Sequence, residues 1–211
     1  LWKTKTGSPW NSGQPNWQGS RSTPSVDGDR VYVVTPFGEL VCCDAAGGQE
    51  LWRKNLKSEF QGAKGDGWGY SESPLIDGDL LICTPGGANA TMVALRKQTG
   101  ELVWKTSRPD DRGAGHSSVV ISTIGGTKVY VQVTASGPLG VRASDGKLLW
   151  SYDIPQTTCV IPTPIIRGDL VYFAVGYGRG AGLLQQIPGQ NGDVTLKELY
   201  AVKPDLGNKH G

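Results

Sequence analysis

The sequence predicts an all-β fold, a β-propeller of four four-stranded antiparallel blades of about 50 residues, and three observations carry that expectation. The first is a repeat. "STPSVDGDRVYVV" at 22–34 returns as "ESPLIDGDLLICT" at 72–84, as the weaker copy "SSVVISTIGGTKVYVQV" at 117–133, and as "PTPIIRGDLVYFA" at 162–174. The second is a row of closing aromatics, Trp2, Trp52, Trp104, Trp150 and Tyr200, spaced by 50, 52, 46 and 50 residues. The third is composition: 31 glycines and 13 prolines in 211 residues, with one methionine and only 19% charged residues. Such a chain is rich in turns and poor in helix formers.

Residues 1–5, with Trp2, read as the last strand of a preceding blade. The first complete blade spans 20–55. There "SRSTPSV" leads in, Asp27-Gly28-Asp29 turns into "RVYVV", Phe37-Gly38 turns into "ELVCCD", and Gly47-Gly48 turns into "QELWRKN". Asp-Gly and Gly-Gly between apolar runs are hairpin signals, because glycine adopts the positive φ those turns require. The second strand is apolar at nearly every position, as a strand covered on both faces must be. The same parse gives blades at 70–107, 115–153 and 159–203, and 204–211 reads as the lead-in to another blade. Loose ends on both sides imply a part of a ring of seven or eight blades, completed by further sequence or by a second copy of the chain. The closing rings, Trp2, Trp52, Trp104, Trp150 and, less well, Tyr200, are expected to dock in the wedges between neighbouring blades, where a large ring buries much apolar surface.

The formal net charge is +2 and the basic residues are scattered. That leaves no electrostatic footprint for nucleic acid or anionic lipid. No run approaches the 18 or so apolar residues of a membrane-spanning helix. Cys42, Cys43, Cys83 and Cys159 lie in apolar runs, with spacings that match neither a zinc ribbon nor a thioredoxin motif. The expectation is buried free thiols. The adjacent pair Cys42-Cys43 also admits a strained vicinal disulfide, but strand alternation sends the two side chains to opposite faces. "GYGRGAG" at 176–182 reads as a wide hairpin, not a phosphate cradle, since its glycines miss the Gly-x-Gly-x-x-Gly spacing.

The element Asp44–Gly48–Trp52 resembles the tryptophan-docking motif of the PQQ-like β-propeller repeat family. "QTGELVW" at 98–104 and "SDGKLLW" at 144–150 match it too, with Arg96 and Arg142 at the aspartate position. "GWGYSESPLIDGDLLICTPGG" at 67–87 resembles the exported propellers of this family from planctomycete-type bacteria. The family holds both non-enzymatic propellers of the outer-membrane assembly-factor type and quinone-dependent dehydrogenases. The resemblance implies an exported, periplasmic or cell-surface location. It also implies a rigid, non-catalytic scaffold or binding module for protein or carbohydrate partners, with no cofactor. The alternative it implies is an alcohol dehydrogenase using PQQ and calcium. Against that alternative, "CCD" runs straight into a docking turn, and only Glu72 and Asp66 supply carboxylates near a channel-facing loop.

A propeller offers its ligands the central channel and the loops at its mouth. Those loops are "GSRSTP" at 19–24, "DGWGYSESP" at 66–74, "DDRGAGHSS" at 110–118 and "TTCVIPTP" at 157–164. They bring Arg21, Trp68, Tyr70, Glu72, Arg112 and His116 toward one region, suited to an anionic or sugar-like ligand. No catalytic or metal-binding set is expected. His116 and His210 are the only histidines, and Ser71 and Ser73 lack a base nearby in sequence, so a Ser-His-Asp arrangement finds no support at this level.

Overall fold

In the computed structural model, which describes residues 1–11, 18–206 and 208, sixteen strands form four separate four-stranded antiparallel sheets, each in simple meander order. The first sheet holds β1 (Ser25–Asp27), β2 (Arg30–Val34), β3 (Glu39–Asp44) and β4 (Glu50–Asn55). The second holds β5 (Leu75–Asp77), β6 (Leu80–Cys83), β7 (Met92–Arg96) and β8 (Leu102–Thr106). The third holds β9 (Val120–Ile124), β10 (Thr127–Thr134), β11 (Gly137–Arg142) and β12 (Leu148–Ser151). The fourth holds β13 (Ile165–Arg167), β14 (Leu170–Val175), β15 (Gly180–Pro188) and β16 (Val194–Lys203).

Period-two alternation explains why the middle strands are apolar throughout. In the second sheet Leu81, Cys83, Val93 and Leu95 pack with Tyr32, Val34, Leu40 and Cys42 of the first. The intervening residues Ile82, Met92 and Ala94 pack with Tyr130, Leu139 and Val141 of the third. Val129, Val131 and Val133 of the third sheet then meet Val171, Phe173, Val175 and Leu184 of the fourth. Each inner sheet is therefore sandwiched, and the blades stack in chain order.

The closing aromatics keep one register. Trp52 pairs with Cys42, Trp104 with Ala94, Trp150 with Gly140 and Tyr200 with Leu183, each followed by a one-residue register shift. Trp2, Trp52 and Trp104 occupy one kind of slot. Each indole N–H donates to a carbonyl of the next docking turn, at Ala45, Lys97 and Ala143. Each ring covers the turn's glycine, Gly48, Gly100 or Gly146, so closely that a Cβ there would lie within 3.0 Å of a ring carbon.

Two details depart from the simple repeat. Trp150 is buried between the third and fourth sheets, in one cluster with Val171, Phe173 and Leu184, and also packs on Gly140 of its own sheet, but its indole N–H is unpartnered. The cause lies in the fourth blade, where β15 and β16 lengthen into a nine- and ten-residue hairpin closed by a 3-10 turn at Gln190–Gly192. That hairpin replaces the compact glycine turn that would receive the ring. Residues 1–5 belong to no sheet, although Trp2 still fills a docking slot. Of the expected lead-in at 204–211, Pro204–Leu206 form a 3-10 turn, while 207 and 209–211, including His210, lie outside the described residues.

Cys42, Cys43, Cys83 and Cys159 are free and buried. Burial pushes the Cys42 and Cys43 thiols up from their usual range, so both stay protonated strand residues. The segment after β14 is a four-residue turn at 176–179 that leads directly into β15.

Candidate functional site at the channel mouth

The blades are stitched together on their lead-in segments by hydroxyls at one repeat position. The Thr23 N–H donates to Ser73 Oγ (3.1 Å), Ser73 N–H to Ser118 Oγ (3.0 Å), and Ser118 N–H to Thr163 Oγ1 (3.1 Å). These bonds fix the equivalence of the four loops. Two residues upstream in each loop stand Arg21, Ser71, His116 and Ile161, and all four line one cavity of about 500 Å³. Trp68, Cys159 and Tyr177 complete its wall. The cavity is thus where equivalent positions of four successive blades converge.

Arg21 lies over the Trp68 ring, 5.9 Å from its centroid, and donates to the Trp68 carbonyl (3.0 Å). Tyr177 lines the cavity from the β14–β15 turn, with φ +59°. A bulky side chain at that φ is strained and persists where its surroundings demand it. Beside the cavity is a buried polar cluster. His116 Nε2 lies 2.9 Å from Asp66 Oδ2, and His116 Nδ1 lies 2.6 Å from Ser71 Oγ. Asp66 Oδ1 accepts from the Trp68 N–H (3.0 Å) and lies 3.3 Å from Lys64 Nζ. The side chains of Lys64, Asp66 and His116 are only 5–8% exposed. Burial pushes the Asp66 carboxyl up, but His116, Lys64 and the Trp68 N–H together outweigh it and leave the group below the usual carboxylate range. Burial pulls Lys64 down, against the pull of Asp66.

Of the six residues expected at the mouth, Arg21, Trp68 and His116 line this cavity. The other three belong to the framework. Tyr70 is buried under Gly38 and donates its hydroxyl to the Pro85 carbonyl (2.7 Å). Glu72 is fully enclosed, accepts from the Thr84 N–H (2.8 Å) and faces Gln132 Nε2 (3.3 Å). Arg112 turns its guanidinium onto the carbonyls of Ala135 and Ile154 and clamps two loops together. The expectation that Ser71 lacks a base is also overturned, because His116 arrives from the next blade. Ser71, Cys159, Ile161, Tyr177 and Lys64 escaped the sequence reading. The two-residue offset from the repeated hydroxyl would have found Ser71 and Ile161.

Asp66, His116 and Cys159 offer ligand atoms within 4.8 Å of one another, yet the Lys64 ammonium already supplies the cation that this carboxylate faces. The calcium of a quinone enzyme wants six to eight oxygen ligands. The cavity's lining among the described residues contains no carboxylate or amide side chain, and Cys42-Cys43 are core residues of β3, so these residues do not fit that centre.

The family described as "Outer membrane protein assembly factor BamB" matches residues 1–206. The outer membrane protein assembly factor BamB of Nitrosomonas eutropha is 26% identical over 161 residues, covering 75% of this chain and 32% of that protein. The quinate/shikimate dehydrogenase (quinone) of Acinetobacter baylyi is 25% identical over 192 residues, covering 72% of this chain and 24% of that protein. The chain thus spans about a third or less of the length of these relatives. The crystal structure of quinohemoprotein alcohol dehydrogenase from Comamonas testosteroni aligns with a TM-score of 0.49 at 13% identity, over 88% of this chain and 34% of that one.

Proposed function

From the premise that this chain belongs to the PQQ-like β-propeller repeat family, we propose that it works as a rigid binding module in an exported compartment, taking an acidic segment of a protein or glycan partner at the channel mouth. The observation that carries this reading is the Arg21–Trp68 pair, which lines a cavity of about 500 Å³ together with Tyr177. A guanidinium is the side chain suited to a carboxylate, and flanking aromatic faces take a sugar ring or an apolar side chain. The stacked blades hold these groups on fixed loops, so little ordering cost accompanies binding.

Titration calorimetry of the chain with an oligogalacturonate and with a poly-glutamate peptide tests it. Binding of one of the two is expected, weakening as salt rises and falling at least about tenfold in Arg21→Ala, the loss of a charge-assisted bond. Binding by neither probe, or equal binding by Arg21→Ala, refutes it.

A further inference from the structure

Beyond binding, we propose that the mouth is chemically reactive: Ser71 is a nucleophile, served by His116 as general base and Asp66 as the group that orients the base, toward esters that carry a carboxylate. The geometry is that of a relay. Ser71 Oγ and Asp66 Oδ2 contact opposite nitrogens of the His116 ring at 2.6 and 2.9 Å, within the reach required between nucleophile, base and orienting group. The proton positions follow from chemistry. An ionised carboxylate only accepts, so Nε2 of the neutral ring carries the hydrogen toward Asp66. Nδ1 then presents its lone pair, and the Ser71 hydroxyl donates to it.

Lys64 and the Trp68 N–H, both on the other oxygen of Asp66, keep that carboxylate charged and fixed. The three members come from two adjacent blades, Asp66 and Ser71 from one lead-in loop and His116 from the next. A merely satisfied polar core would be sealed, whereas both Ser71 and His116 line the cavity. Arg21 stands at the matching position of the preceding blade and lines the same cavity. It supplies the cation for the substrate's carboxylate, and Trp68 and Tyr177 take a flat leaving group.

The step balances without any co-reactant. Ser71 Oγ bonds to the ester carbonyl carbon as its proton passes to His116 Nδ1, and Asp66 stabilises the imidazolium. The tetrahedral adduct expels the alcohol, which leaves with the proton from Nδ1. Water then attacks the acyl-serine by the reverse sequence, releasing the acid and restoring Ser71.

A fluorophosphonate probe tests the proposal without a partner or a substrate, so its failure leaves the binding reading untouched. The serine oxygen displaces fluoride at phosphorus, and peptide mass mapping locates the adduct. The expected result is a single adduct on Ser71, none in Ser71→Ala, and labelling slowed about 100-fold or more in His116→Gln, the scale of a general base's contribution. Circular dichroism of His116→Gln checks that the sheets persist. If that variant fails to fold, Asp66→Asn replaces it, with labelling slowed at least about tenfold. Hydrolysis of p-nitrophenyl hemisuccinate in preference to p-nitrophenyl acetate, the preference lost in Arg21→Ala, assigns the substrate class. No adduct on Ser71, adducts scattered over surface serines, or labelling at wild-type rate in the folded His116 or Asp66 variant overturns the proposal.

Discussion

Replacing Gly146 by alanine tests the docking of blades one atom at a time. Gly146 has φ +75°, and a Cβ built on it would lie 2.6 Å from Cε3 and 2.7 Å from Cδ2 of Trp104. Gly78 has a similar conformation, φ +59°, but nothing within 4 Å of its Cβ position. The backbone part of the cost is common to both, about 1–2 kcal/mol for a non-glycine residue in the left-handed region. Only Gly146 adds the overpacking of an indole already held by its bond to the Ala143 carbonyl, about 1–3 kcal/mol. Gly146→Ala is therefore expected to cost about 2–5 kcal/mol and Gly78→Ala about 1–2 kcal/mol. Against a typical domain stability of about 5–15 kcal/mol, the difference is readable by equilibrium urea unfolding with a common slope. In a Trp104→Ala background the excess at Gly146 should vanish, because the clashing ring is gone, and the cycle isolates the contact. Equal costs at the two glycines, or an excess that survives loss of the indole, would refute the docking argument.

Two more outcomes follow from buried groups. Burial raises the Glu72 carboxyl to about 7, against about 4.3 for an unfolded glutamate. The folded state thus binds the proton more tightly, and this contribution is full below about pH 4.3 and lost as pH rises through about 7. The stability of wild type relative to Glu72→Gln should fall by about 3 kcal/mol between pH 4 and pH 8, and a constant difference across chemical-denaturation curves would contradict it. Trp104→Phe gives up a bond to Ala143 whereas Trp150→Phe gives up none, so the first should cost about 1 kcal/mol more than the second. Urea midpoints of the two variants decide it.

The architecture was legible because each of its causes is local and repeated. A glycine turn, an apolar second strand and a closing aromatic recur at one period, and Trp52 and Trp104 landed in equivalent slots. Trp150 also lies between two blades but makes no indole bond, and the turn opposite it belongs to a longer hairpin, a fact carried by residues 40 positions downstream. The mouth was half legible. Arg21, Trp68 and His116 could be placed by loop counting, but Tyr70, Glu72 and Arg112 could not be told from them. Whether a loop side chain points to the channel or into the framework depends on neighbours such as Pro85, Thr84 and Ala135, which adjacent loops bring in. Ser71 and His116 lie 45 residues apart, and only the hydroxyl stitching between blades shows that they touch.

The most direct test of the mouth as the binding site uses the seven tryptophans as reporters. Indole N–H resonances, assigned by single Trp→Phe variants, would be followed by NMR as the better-binding acidic probe is added. Trp68, which lines the cavity, should shift, while Trp52 and Trp104, locked between blades, should stay in place. A titration that leaves Trp68 unmoved while the probe binds would contradict it.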